Sequence, residues 1–287
     1  MAIESELKYP TPSQPRQVRL DSTSFCNASC LSCHRVLSQR KGEMPRDLVM
    51  NLLEDISQWE QPLDEIVPVN YGEFFLYKNW FWLLQQIEKK LLATRIVIPT
   101  NGSLLTVKTV EKLSTIKNWD LINFSINAFF DETYKRFTGL EPSVLTKFPQ
   151  LMLKIRELRP DVTIWASMVF DPIYHTEIER DLFIEAWKQF AFPQVLTASS
   201  AGRADNKPLY RTSLPCRSIF SDFVVGYDGK LSSCCWDSNF FIDLGYLQDY
   251  GGDILKAWNN EKFKELRRLH NAGQRSSVSL CRVCSYA

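Results

Sequence analysis

Arg95-Ile-Val-Ile-Pro99, Thr100-Asn-Gly102, the stretch Val107 to Ile116, and Leu121-Ile-Asn-Phe-Ser-Ile126 together decide the fold. A β-type run passes through a Thr-Asn-Gly turn into residues of helical periodicity, and a second β-type run follows within a few residues. Strands joined through a helix lie parallel, with a right-handed crossover. The same unit repeats on both sides. β-type runs stand at Gln17–Ser22, Glu65–Val69, Arg95–Pro99, Leu121–Ile126, Val162–Val169 and Gln194–Thr197. Helix candidates between them are Arg46–Trp59, Trp80–Leu92, Val107–Ile116, Val144–Leu158 and His175–Phe190, the last with Ile178, Leu182, Ala186, Trp187 and Phe190 read as its apolar face. Six such runs predict an α/β fold, a partial (β/α)6 TIM-like barrel, whose chemistry belongs in the loops after the strands.

From about Ala204 the pattern changes. Phe220–Gly226, the Asp228-Gly229 turn and Lys230–Ser233 read as a β-hairpin, and the segments Asp253–Trp258 and Glu261–Asn271 as helices. The expected division is a tail over 1–15, a barrel over 16–205 and a small C-terminal α+β domain over 206–287.

The composition limits the function classes. Among 287 residues, 45% are hydrophobic, enough for a sizeable core, and 34 Lys plus Arg against 33 Asp plus Glu leave a net charge of +1. No broad basic field is available for a nucleic-acid partner. The first residues carry acids and prolines instead of a secretory signal, and no apolar run reaches membrane-spanning length, so the expectation is a cytoplasmic protein with no membrane partner.

The eight cysteines form two groups. Three lie in Cys26-Asn-Ala-Ser-Cys30-Leu-Ser-Cys33 and five, Cys216, Cys234, Cys235, Cys281 and Cys284, lie toward the C-terminus. In a reducing compartment such groups point to metal or redox chemistry. Three thiolates on one loop suit a four-iron cluster with one iron left open. The competing readings are c-type haem attachment through Cys30-Leu-Ser-Cys33-His34, zinc on the three cysteines with His34, and inert packed thiols.

CxxxCxxC after the first strand, Tyr71-Gly72-Glu73 after the second, Thr100-Asn101-Gly102 after the third and Ser125-Ile126-Asn127 in the fourth resemble the radical S-adenosylmethionine (SAM) superfamily, in that order. The resemblance implies that Cys26, Cys30 and Cys33 hold a [4Fe–4S] cluster whose open iron chelates SAM. An electron then cleaves SAM to a 5′-deoxyadenosyl radical that takes hydrogen from a substrate C–H bond. It further implies that Gly72 and Glu73 hold the methionine amino group, that Ser125 and Asn127 line the cofactor, and that the backbone of Ser32 meets the adenine. Two departures stand out. The family's Gly-Gly-Glu-Pro is here Tyr71-Gly72-Glu73-Phe74, and its carboxylate-binding arginine has only Arg136 as a substitute.

Cys216, Cys234, Cys281 and Cys284, with Gly226-Tyr-Asp-Gly229 between them, resemble the C-terminal SPASM or shorter twitch domain of that superfamily. This implies a second, auxiliary [4Fe–4S] cluster on these four, zinc being the rival metal. Cys235 is then left over, as a buried bystander or as a catalytic hydrogen-atom donor. The implied reaction is dehydrogenation, epimerisation or cross-linking of a carbohydrate-like small molecule or a peptide, with a flavodoxin or ferredoxin as electron donor. The rival functions are a zinc-stabilised binding protein and a two-cluster electron carrier. Trp165, Ser167, Met168, Tyr174, His175, Arg203 and Trp236 are wall candidates, core or surface being the plainer reading of each.

Overall fold

The computed structural model describes residues 8–197, 214–232, 234–282 and 284. Arg203 and the expected boundary between residues 205 and 206 lie outside the described residues. In chain order the elements are β1 (Gln17–Leu20), α1 (Arg46–Ser57), β2 (Glu65–Val67), α2 (Trp80–Lys90), β3 (Arg95–Thr100), α3 (Val107–Leu113), β4 (Trp119–Ser125), α4 (Asp131–Thr138), α5 (Phe148–Leu158), β5 (Thr163–Phe170), α6 (Glu177–Trp187) and β6 (Phe192–Thr197). Then come α7 (Ser218–Ser221), β7 (Asp222–Val225), β8 (Leu231–Ser232), α8 (Ile254–Trp258), α9 (Glu261–Asn271) and α10 (Ser279–Arg282).

All described strands belong to one sheet, ordered β6-β5-β4-β3-β2-β1-β7-β8. The first six are parallel neighbours, as their alternation with helices requires. The C-terminal hairpin does not stand apart from this sheet. β7 pairs parallel with β1, placing Gln17 opposite both Glu65 and Asp222, and β8 closes antiparallel on β7. Without β7 the backbone donors and acceptors of β1 would form an open edge.

The two faces of the sheet differ. Val18, Leu20, Ile66, Ile96, Ile98, Ile122, Phe124, Ile164 and Ala166 are buried on the face covered by helices. On the other face Gln17, Arg19, Glu65, Val97, Asn123, Ser125 and Trp165 are only half-buried, while Val67, Leu121, Ser167 and Val224 are buried among them. In a closed barrel the inner positions pack in apolar layers. Here they form a face of mixed polar and apolar side chains, open where the half-buried ones lie.

Three helix expectations change. α4 has no counterpart among the sequence assignments, because within eight residues only Tyr134 and Phe137 are large apolar groups; Gly139, at φ 71°, ends it in the left-handed region. The helix expected over 144–158 divides into a 3-10 turn, Pro142–Lys147, and α5, because Pro149 in the first turn has no N–H with which to continue a preceding helix.

The expected apolar face of α6 holds in part: Trp187 is buried and Ala186 and Phe190 pack against the core, but Ile178 is 70% and Leu182 37% exposed, and Glu179 and Phe183 face inward in their place. The cause is Glu179, whose Oε1 accepts hydrogen bonds from Phe129 N at 3.0 Å and Phe130 N at 3.1 Å, at the start of α4. A buried carboxylate with two donors outweighs the helical apolar pattern. Glu179→Leu, which orphans both amides, should cost about 1–3 kcal/mol in urea unfolding, and Glu179→Gln, which keeps the acceptor, clearly less. No helix among the described residues is long and apolar enough to cross a membrane.

Candidate functional site

The loop that leaves β1 carries Cys26, Cys30 and Cys33, and three neighbouring segments hold it. From the β2 side, Glu73 N donates to Phe25 O at 2.8 Å. Gly72 packs so closely that a Cβ there would lie 2.0 Å from Thr23 O and 2.8 Å from Phe25 O, so the position admits only glycine. From the β3 side, Asn101 Nδ2 donates to Asn27 Oδ1 at 2.9 Å and stands 3.8 Å from Cys26 Sγ. From below, the last carbonyls of α4 accept Ser29 N (to Thr138 O, 2.8 Å) and Leu31 N (to Phe137 O, 2.9 Å). Orphan carbonyls at a helix end thereby serve as a rack for the cysteine loop.

Glu73 is 2% exposed and its carboxylate is engaged by the protein itself. Oε1 accepts from Thr100 Oγ1 at 2.7 Å and from Phe75 N at 3.3 Å, and Oε2 from Asn101 N at 2.7 Å. The side chain ties the β2 loop to the β3 loop. Burial pushes its carboxyl up, against the pull of these donors. Ser32 is half-buried in the turn that Cys33 N closes on Cys30 O at 3.0 Å.

Ser125 ends β4 on the open face. Asn127 adopts φ 67°, a region that asparagine tolerates, and joins β4 to β5 by accepting Val169 N at 3.0 Å. Arg136 is not brought to the cysteines: it is exposed on α4, with its guanidinium 5.2 Å from the Tyr174 ring centroid.

The second group gathers around the C-terminal helices. Cys216 N donates to His270 Nδ1 at 3.1 Å, and Cys234 Sγ accepts Trp236 N at 3.3 Å. Cys216, Cys281 and Cys284 are buried. The two groups are linked by direct contacts. Tyr71 OH and Asn70 Nδ2 donate to Cys235 O, the latter at 3.5 Å; His34 Nδ1 donates to Trp236 O at 3.0 Å; Ser238 Oγ donates to His34 O at 3.2 Å. The segment Cys234–Trp236, which follows β8, therefore meets the loops that follow β1 and β2.

The electrostatics fit iron–sulfur clusters. Burial pushes the Cys30 thiol up to about 12, with the charges of Cys33 and Cys26 adding to the effect, and Cys26 and Cys33 are raised chiefly by burial as well. In the second group Cys281 is pushed up to about 12, and Cys216 and Cys234 are raised, again by burial first. Mutually repelling buried thiols ionise when a metal takes the place of their protons.

Each group also has one arginine whose charge favours the thiolates. Arg35, held by Ala28 O at 2.7 Å, acts on Cys26, Cys30 and Cys33, and the buried Arg275 acts on Cys216 and Cys281. A thiolate-bound cluster is an anion, and a nearby guanidinium stabilises it. Among the described residues no three His, Cys, Asp or Glu side chains stand ready to hold a single metal ion; in a cubane each cysteine binds a different iron.

Other sequence candidates have structural roles. His175 is buried: its Nδ1 accepts Asp171 N at 3.1 Å and its Nε2 donates to Asn127 O at 2.8 Å. Met168 is core. Ser167 lies on the open face beside Asn123, donating to its Oδ1 at 2.5 Å. Sequence reasoning assigned no site role to Asn101, Tyr71, Asp21 or Arg19. Burial pushes the Asp21 carboxyl, which accepts Tyr71 N at 3.3 Å, up to about 7. The available signal for Arg19 was its place between Val18 and Leu20, a charge on the inward beat of a buried strand.

Two family models match the chain: "Radical SAM superfamily" over residues 20–182 and "Iron-sulfur cluster-binding domain" over residues 216–285. Among curated proteins, the S-adenosyl-L-methionine-dependent 2-deoxy-scyllo-inosamine dehydrogenase of Niallia circulans is 23% identical over 274 residues, covering 93% of this chain and 92% of its own. The crystal structure of BtrN in complex with AdoMet and 2-DOIA shares the fold, with a TM-score of 0.69 and 21% identity over 98% of this chain and 95% of that one. Streptococcus suis SuiB bound to precursor peptide SuiA aligns with a TM-score of 0.72 and 14% identity, over 95% of this chain and 70% of its own. Since the first family model spans more than half of its residues, this chain belongs to the radical SAM superfamily, as an oxidoreductase-type enzyme that works with SAM and [4Fe–4S] chemistry.

Proposed function

We propose that this enzyme dehydrogenates a small hydroxylated molecule on the open face of its sheet. In this reading Cys26, Cys30 and Cys33 hold the SAM-binding cluster, and Cys216, Cys234, Cys281 and Cys284 hold a single auxiliary [4Fe–4S] cluster. The carrying observation is that the two cysteine groups are tied together through Tyr71 and His34, where the loops after β1 and β2 meet the Cys235–Trp236 segment. Once bound, these groups supply a radical that takes hydrogen from a substrate C–H bond and an acceptor for the electron released by oxidation.

The protein's own part is to orient and to enclose. Glu73 braces the Thr100–Asn101 turn, and with it the amide beside Cys26. We assign Ser32, Gly72, Glu73, Ser125 and Asn127 to the SAM site, with Arg136 as a further candidate. Cys235 beside the open face is the candidate hydrogen-atom donor, and Cys235→Ser separates oxidation, which should persist, from epimerisation, which should stop.

The near full-length match to a small-molecule dehydrogenase, against 70% coverage of peptide-bound SuiB, supports a small substrate. Residues 16–205 would form the catalytic barrel and 206–287 the auxiliary-cluster module. The proposal includes a flavodoxin- or ferredoxin-type donor, because reductive cleavage needs an external electron. It also includes a cytoplasmic location, which suits thiols kept for metal.

The test supplies reconstituted, reduced enzyme and SAM with polyols deuterated at their carbinol carbons. Deuterium in 5′-deoxyadenosine together with a ketone product is the expected result. Deuterium transfer from a peptide and from no polyol would overturn the reading.

A further inference from the structure

Five carboxylates are buried among the described residues: Asp21, Glu73, Asp171, Glu179 and Asp237. Four of them are engaged by the protein. Glu73 accepts three hydrogen bonds and Glu179 two. Asp237 accepts Phe241 N at 2.9 Å and Ile242 N at 3.0 Å, and Asp171 closes its own turn on Ile173 N at 3.0 Å. Asp21 is 5% exposed and has one side-chain hydrogen bond, a long one, from Tyr71 N at 3.3 Å. Holding a carboxylate away from water on so little is unfavourable in itself.

Its place is that of an active-site residue. Asp21 N donates to Val225 O at 2.8 Å, so the pairing of β1 with β7 runs on through it, and strand alternation puts its side chain on the face of Gln17 and Arg19. It stands at the finishing end of β1, where chemistry belongs in such folds, five residues before Cys26. Tyr71, whose amide holds it, donates its own hydroxyl to Cys235 O. A sparsely satisfied carboxylate thus lies where the end of β1, the loop after β2 and the Cys235–Trp236 segment meet.

We infer that Asp21 is the base that takes the hydroxyl proton of the substrate. The inference rests on the proposed dehydrogenation and adds a catalytic residue to it. Once a hydrogen atom has left the carbinol carbon, the carbon radical still carries its hydroxyl. To become a ketone it loses one proton and one electron. The O–H bond breaks with its electron pair left on oxygen, and the proton passes to the Asp21 carboxylate. The electron goes to the oxidised auxiliary cluster, the acceptor already named for this function.

The test follows a first turnover of the reconstituted holoenzyme with SAM and the carbinol-deuterated polyol that the wild type oxidises. Asp21→Asn keeps an acceptor for Tyr71 N and removes the base. Deuterium should still reach 5′-deoxyadenosine at the wild-type rate, while ketone formation falls about 10²-fold and an organic radical accumulates in the electron paramagnetic resonance spectrum. Asp21→Glu should restore part of the ketone. In the wild type, ketone formed per deuterated 5′-deoxyadenosine should rise with pH through about 7, because burial holds the Asp21 carboxyl there and only its ionised form accepts a proton. The charged and titratable groups around it are Arg40 from the segment after the first cysteine group, Asp228 from the β7–β8 turn, Tyr71 from the loop after β2 and Arg19 from its own strand; Arg40 pulls the carboxyl down and Asp228 pushes it up.

Equal ketone formation in wild type and Asp21→Asn overturns the inference. So does a parallel fall in deuterium transfer and ketone, which a merely structural residue would give. If Asp21→Asn does not hold its iron, the wild-type profile decides, and a ratio flat across pH 7 overturns the inference. Failure of the underlying reading looks different: the wild type itself then moves no deuterium from any polyol.

Discussion

Cys30→Ala should remove SAM cleavage altogether. Reconstituted anaerobically, the wild type is expected to hold about eight iron atoms, and the variant about four, all in the auxiliary site. Dithionite-driven formation of 5′-deoxyadenosine should fall at least ~10³-fold, to background, because the cofactor carries the bond cleavage and no side chain replaces it. Cys30 is the thiol to change because its charge couples to both Cys33 and Cys26. Iron and sulfide analysis, with the visible absorbance of each variant, checks the count. Unchanged cleavage in Cys30→Ala would overturn the assignment of the first cluster, and zinc in place of iron would overturn both.

Gly72→Ala should be nearly as damaging without touching a cysteine. Its new methyl group would overlap Thr23 O, 2.0 Å away, and crowd Phe25 O, and neither atom is a flexible side-chain end. Overpacking of this kind costs about 1–3 kcal/mol, and the strain falls on the segment just before Cys26. The Glu73 N to Phe25 O hydrogen bond is the first to be lost. The expected result is a lower urea midpoint together with loss of the first cluster's iron, while the auxiliary site stays filled. Full iron content and wild-type cleavage in Gly72→Ala would show that the loops can separate freely, contrary to the packing described.

Tyr71 and Phe74, where the family has glycine and proline, become intelligible in three dimensions. The Tyr71 hydroxyl holds the Cys235 carbonyl, and Phe74 is fully buried against Phe75 and Trp80. Neither role has a local signature. Each partner lies elsewhere in the chain or depends on how the loop turns.

The alternation of strands and helices, the parallel order that follows from it, and the first cluster motif were legible because each is a matter of spacing along the chain. Apolar residues recurring at strand or helix periods, and three thiols within eight residues, carry their meaning wherever they are placed. Three features were decided only by tertiary structure. The rotation of α6 depended on Glu179 finding two amides, and α4 depended on docking beneath the cysteine loop. The C-terminal hairpin joined the barrel sheet because β1 offered it an edge. Periodicity records which residues prefer water; it does not record which polar group will find a partner once the chain has folded, and that pairing set both the helix orientation and the chemistry of the open face.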